Sequence, residues 1–248
     1  MSMIIGLHGA AGSGKDEVAF AMERWANLKD INFQKISFAG PVYELASVIF
    51  GTSMEMLGER RTKELATWFT VTQGQLELAN DFWVSNGLAE YADFAYIWPI
   101  FENKWLAPFR VDPIHHYYQD ALFSSFISPR RILQLIGTEL GRNLGSPDIW
   151  VNTLKRSVIE TNADLTIVTD IRFDDEAQII HQIPNMSDSL VLQITSTNSP
   201  HLINTNHASE AGVSENLINS YFTNTFEGLE KLEKDVFFFL EDNTFMHI

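Results

Sequence analysis

Residues Met3-Ile4-Ile5-Gly6-Leu7-His8-Gly9-Ala10-Ala11-Gly12-Ser13-Gly14-Lys15 constrain this chain more than any other stretch: an apolar run passes straight into a glycine-rich turn that closes on a lysine. Gly9 and the Gly14-Lys15 pair stand at the spacing of a P-loop, in which successive backbone N–H groups surround phosphate oxygens and the lysine neutralises their charge. Asp16-Glu17-Val18-Ala19-Phe20-Ala21-Met22-Glu23 then opens a helix. Strand, loop and helix N-terminus are the parts an anion site requires. An ordinary βα turn with glycines for tightness leaves Lys15 unexplained. One position departs from the pattern: Asp16 stands where the usual P-loop has Ser or Thr, so a carboxylate replaces the hydroxyl that touches Mg²⁺.

Composition bounds what such a loop can serve. A chain of 248 residues, 45% of them hydrophobic, fills one large α/β domain or two small ones. Its 17 basic and 32 acidic residues leave a formal charge of −15, which argues against nonspecific duplex-DNA binding, because that needs a basic face to displace counterions. A polyanionic substrate then needs locally clustered arginines. Without cysteine, disulfides, thiolate zinc sites and cysteine nucleophiles are excluded. The N-terminus lacks a basic segment ahead of a signal-peptide core, and no apolar run approaches the roughly 18 residues that span a bilayer. These features predict a soluble cytoplasmic protein with no membrane partner.

Further along, Phe33 to Ala39 alternates as a strand and is closed by Gly40-Pro41, and Val42 to Phe50 is spaced as a helix that stops at Gly51. Arg60 and Arg61 read as a solvated helix end rather than a phosphate clamp. Residues 68–126 carry many Trp, Tyr and Phe with few clean periods, and are read as an insertion within a single domain, one that supplies a substrate-side cover. Their aromatic density is read as core packing before base stacking. His115-His116 lacks a third ligand at a recognisable spacing and is read as structural.

Ser128 suits an N-cap and Pro129 the first turn of a helix that runs through Arg142. Leu133, Ile136, Leu140 and Leu144 form its apolar stripe, while Arg130, Gln134, Gly137, Thr138 and Gly141 gather on another face. Two glycines there cost about 1 kcal/mol each relative to alanine, so they imply close approach. A ligand is one candidate: Arg130 and Arg131 would grip phosphate and Gln134 and Thr138 would hydrogen-bond it. A crossing helix is the other. Trp150, at the start of the next helix, suits a stacked base or a buried core position equally. Leu165 to Arg172 is a β-branched run ending in Asp170, as a Walker B strand does, with Arg172 just beyond it. Leu190 to Thr195 is a further strand, a polar turn region reaches Asn224, and Glu227 to Glu241 is a last helix burying Leu229, Leu232, Val236, Phe239 and Leu240.

Taken together, Gly9 to Asp16, Phe38-Ala39-Gly40-Pro41, Pro129 to Leu140, Asp148-Ile149-Trp150-Val151, Thr169 to Ala177 and His207-Ala208-Ser209-Glu210 resemble the deoxynucleoside monophosphate kinases of tailed bacteriophages. The match spans most of the chain, and an aspartate after the P-loop lysine is itself a mark of that group. The resemblance implies an α/β fold, the three-layer P-loop NTPase sandwich with a mainly parallel sheet and a helical, aromatic-rich insertion at about 68–127. It implies ATP and Mg²⁺ as co-substrates and a deoxynucleoside monophosphate (dNMP) as phosphoryl acceptor. Gly9, Gly12, Ser13, Gly14, Lys15, Asp16 and Glu17 fall on its ATP side, with Asp16 and Asp170 near the metal. Arg130, Gln134, Gly137, Thr138, Trp150, Asp170, Arg172 and Glu176 fall on its acceptor side. Lys15, Asp16, Arg130, Arg131, Asp170 and Arg172 would be the catalytic set. Glu17 replaces the threonine frequent in that family, removing one hydroxyl near the phosphates. Two rivals stay open, a P-loop kinase for another small phosphorylated metabolite and a non-catalytic nucleotide-binding switch. A homodimer is also left open.

Overall fold

The computed structural model describes residues 2–10, 12–111, 120–184, 186–197 and 212–242; Ala11, His115, His116 and His207 to Glu210 lie outside the described residues. In chain order the elements are β1 (Met3–His8), α1 (Lys15–Leu28), β2 (Phe33–Ile36), α2 (Gly40–Phe50), α3 (Met54–Gly58), β3 (Thr67–Thr72), α4 (Gln73–Ser85), α5 (Phe94–Phe101), β4 (Arg110–Val111), β5 (Ala121–Ile127) and α6 (Pro129–Gln134). A π-helical segment (Leu135–Gly145) continues α6, followed by α7 (Ile149–Thr161), β6 (Leu165–Ile171), α8 (Asp174–Ile180), β7 (Asp188–Ser196), β8 (Ser220–Asn224) and α9 (Leu229–Asp242). Two compact units result, residues 39–153 and the flanking residues 1–38 with 154–248.

The flanking unit is built on a five-stranded sheet of order β2-β6-β1-β7-β8, parallel throughout. Parallel strands need covered faces, and β1 and β6 are accordingly buried along most of their length rather than at alternate residues. Met3, Ile5 and Leu7 of β1 share a buried cluster with Val18, Met22 and Trp25 of α1 and with Leu232, Val236 and Leu240 of α9. On the opposite face Gly6 lets Ile180 of α8 come close: a Cβ there would stand 3.1 Å from the isoleucine. Helix, sheet and helix make three layers. β8 was not anticipated, because Ser220-Tyr221-Phe222-Thr223-Asn224 buries only Phe222 and Asn224, which is how an edge strand reads. In α9 the register holds except at Leu229, which is exposed.

The 39–153 unit has its own core, including Leu45, Ile49, Trp83, Phe94, Trp98, Phe101, Ile136 and Trp150. Consecutive ring pairs run Trp83–Phe94 at 5.7 Å, Phe94–Trp98 at 5.7 Å and Trp98–Phe101 at 5.4 Å, so the illegible aromatic stretch is packing. It is not wholly helical. A three-stranded antiparallel sheet, β3-β5-β4, interleaves with α4 and α5. Phe69 and Val71 of β3 and Phe123 and Ile127 of β5 face the core, whereas Trp68 and Phe126 pair on the outer face at 5.0 Å. Among the described residues no helix is long and apolar enough to cross a membrane.

Candidate active site

Buried β1 delivers the chain into the P-loop at Gly9. Gly12 and Gly14 both lie in the left-handed region, at φ +81° and +87°, where side chains are strained. Gly14 is the N-cap of α1, with no side-chain cap, so the first helical N–H groups are left to a ligand. Lys15 folds back over the loop, its Nζ donating to the carbonyls of Gly9 at 2.7 Å and Ala10 at 3.0 Å. Ser13 is buried with its Oγ unpartnered among the described residues. Asp16 and Glu17 lie exposed on the first turn of α1.

The carboxyl end of β6 carries the second set. Asp170 is half-buried, and its Oδ1 accepts the Phe38 N–H at 2.7 Å, tying the chain beyond β2 to the strand end. Arg172 is exposed beside it. Glu176 differs from the expected ligand contact. It is 4% exposed, and one carboxylate oxygen accepts the N–H of Arg172 at 2.8 Å and of Phe173 at 3.3 Å, so it builds the turn that presents Arg172. Burial pushes its carboxyl up to about 7, with Asp170 and Asp175 adding to the rise and the two N–H groups opposing it. His8, not singled out from sequence, sits at the end of β1. Its Nδ1 donates to the Ile171 carbonyl at 3.0 Å and its Nε2 accepts the Val213 N–H at 3.4 Å, an arrangement only the neutral ring makes. Burial lowers its pKa accordingly.

In the 39–153 unit, Ser128 caps α6 by accepting the Arg131 N–H at 3.3 Å, and the Lys63 carbonyl accepts the Arg130 N–H at 2.9 Å. The Arg130 guanidinium pairs with the Glu64 carboxylate, and Arg131 Nη1 donates to Gln134 at 3.4 Å. Lys63 bonds the Tyr43 hydroxyl. Lys63 and Glu64 were missed in the sequence, where they belong to an unremarkable polar run. Arg130, Gln134 and Thr138 stay exposed. The glycines turn elsewhere: Gly137 faces Val42, 3.4 Å from a Cβ built on it, and a Cβ at Gly141 would overlap the Trp150 ring. Trp150 is 3% exposed and its indole N–H donates to the Gly137 carbonyl at 2.7 Å. It is a wedge in the core, not a free stacking face, and close packing explains Gly141, whereas a Cβ at Gly137 would meet Val42 at ordinary contact distance. Gly137 lies within the π-helical segment that begins at Leu135.

No family model matches the chain. A deoxynucleoside-5'-monophosphate kinase of Escherichia phage T5 is 43% identical over 244 residues, 97% of this chain and 97% of that protein. The chain belongs to this family of phage deoxynucleoside monophosphate kinases. Among the described residues of the kinase, no three His, Asp or Glu side chains converge into a cation cage.

Proposed function

We propose that this kinase transfers the γ-phosphoryl group of ATP to the 5′-phosphate of deoxynucleoside monophosphates, yielding dNDP and ADP. The observation that carries this reading is the likeness to the phage T5 enzyme along 97% of both chains, supported by a P-loop with Lys15 folded over it. Gly9, Gly12, Ser13 and Gly14 hold the β- and γ-phosphates through main-chain N–H groups. Lys15 exchanges its carbonyl partners for phosphate oxygens. Asp16 and Asp170 would hold Mg²⁺, which when bound screens the phosphates and polarises the transferred group. Glu17 adds a further carboxylate on this turn, in place of a hydroxyl.

Arg130, Arg131 and Arg172 neutralise acceptor phosphate, and Gln134 and Thr138 donate and accept beside it. Gly137, Trp150 and Glu176 serve that set indirectly, by shaping the helix and the turn that carry it. Phosphoryl transfer needs positioning, charge neutralisation and the exclusion of water rather than covalent chemistry, and residues 68–127 are assigned the excluding cover. Arginines serving the acceptor would let a chain of charge −15 bind two anions without binding nucleic acid. The partners are ATP and dNMPs, and the compartment is the cytoplasm, the host's for a phage-encoded chain. Coupled ADP release, measured with each dNMP, each ribonucleotide counterpart and other small phosphorylated acceptors, tests this. Release is expected to depend on a dNMP. Dependence on another metabolite, or nucleotide binding without acceptor-dependent turnover, would overturn it.

A further inference from the structure

Behind the P-loop lies a residue that neither the motif nor the proposed chemistry uses. Asn224, the last residue of edge strand β8, is 4% exposed. Its Nδ2 donates to the Ser13 carbonyl at 3.4 Å, and its Oδ1 accepts the Phe226 N–H at 3.0 Å. A Cβ on Gly14 would overlap the same Nδ2 and stand 3.5 Å from the Phe226 ring. Gly14 is thus required twice, once for its backbone angle and once for the room that Asn224 takes.

We infer that Asn224 is a positioning residue for the phosphate cradle: by holding the Ser13 carbonyl, it aims the Gly14 N–H at the bound nucleotide's phosphates. The reason is peptide geometry. Ser13 C=O and Gly14 N–H belong to one planar trans unit and point in opposite directions, so anchoring the carbonyl on the β8 side turns the N–H to the other side. Without the anchor that peptide is free to flip, a motion that changes only the Ser13 ψ and the Gly14 φ, and glycine pays little for either orientation. Asn224 also fixes its own turn through Phe226, which sits at φ +57°, so the anchor is itself held in place. An amide is the side chain that suits both demands, one donor and one acceptor on a short stem.

This inference rests on the P-loop binding ATP, and the experiment separates the two. Asn224→Ala removes both bonds; Asn224→Asp keeps an acceptor for Phe226 and removes only the donor to Ser13. Affinities for a non-hydrolysable ATP analogue and for dNMP are measured by calorimetry on the full-length protein, beside thermal unfolding. Both variants are expected to bind the analogue about tenfold more weakly, the scale of one hydrogen bond with its reorganisation, while dNMP affinity stays within about twofold. Wild-type analogue affinity in either folded variant overturns the inference, as does an equal loss for both ligands. Lys15→Ala is the control: if it too binds the analogue normally, the P-loop reading itself fails.

Discussion

Lys15 already spans the cradle through two carbonyls, so its charge is pre-placed for an incoming phosphate. Lys15→Ala is expected to lower kcat by at least about a hundredfold, the scale of removing one preorganised donor to developing charge, with thermal stability near wild type. Steady-state turnover beside a melting curve checks both. Glu176 makes a different prediction. Its folded-state pKa of about 7 lies above the ordinary 4.5, so the folded protein binds that proton more tightly than the unfolded chain does. The stabilisation is complete below about 4.5 and is lost as pH rises through about 7, up to roughly 3 kcal/mol in all. Glu176→Gln retains an amide oxygen for the N–H groups of Arg172 and Phe173. It is expected to flatten that slope, as urea unfolding at pH 5 and pH 8 would show; parallel slopes would discard the assignment. The P-loop and Asp170 were legible because glycine, lysine and a strand-ending acid occupy fixed offsets. Asn224 and His8 were not, because their partners Ser13 and Ile171 lie 211 and 163 positions away.

Helix α6 and its π-helical continuation show what periodicity reads and where it stops. Capping by Ser128 and Pro129 appears where the composition requires it. Within α6 Ile132 enters the core and Leu133 is only partly buried; beyond Gln134 the hydrogen bonds change, so the side chains no longer follow a 3.6-residue period, and Leu135 is buried while Leu144 is only partly so. Gly141→Ala should force the Trp150 ring outward and cost about 1–3 kcal/mol, the range for overpacking. Trp150→Phe keeps much of the bulk but removes the bond to the Gly137 carbonyl, at about 1 kcal/mol. Chemical denaturation of both variants separates packing from hydrogen bonding. If Trp150 were instead a base platform, the Phe variant would shift dNMP affinity and leave stability alone.

At the scale of the whole molecule the chain carries two hydrophobic cores, one closed by the parallel sheet with α1 and α9, the other by an aromatic cluster around Trp83 and Phe101. The second is continuous in sequence. A fragment of residues 39–161, which keeps α7 entire, is expected to unfold cooperatively and to retain near-ultraviolet circular dichroism from Trp83 and Trp98. A featureless near-ultraviolet spectrum would show that this core cannot stand alone. From the sequence alone came the glycine-rich loop closing on Lys15, the strand that carries Asp170 and the capped Arg130 helix, because each rests on residues close in the chain or on a repeated period, and resemblance to known kinases added the parallel α/β class and the family. Tertiary structure alone decided that 39–153 forms a unit of its own with an antiparallel sheet and that β8 closes the parallel sheet. It also set Trp150 and Glu176 facing inward and placed Asn224 behind the phosphate loop. Those outcomes depend on which distant groups meet and how much space they leave, and no local pattern of residues encodes either quantity.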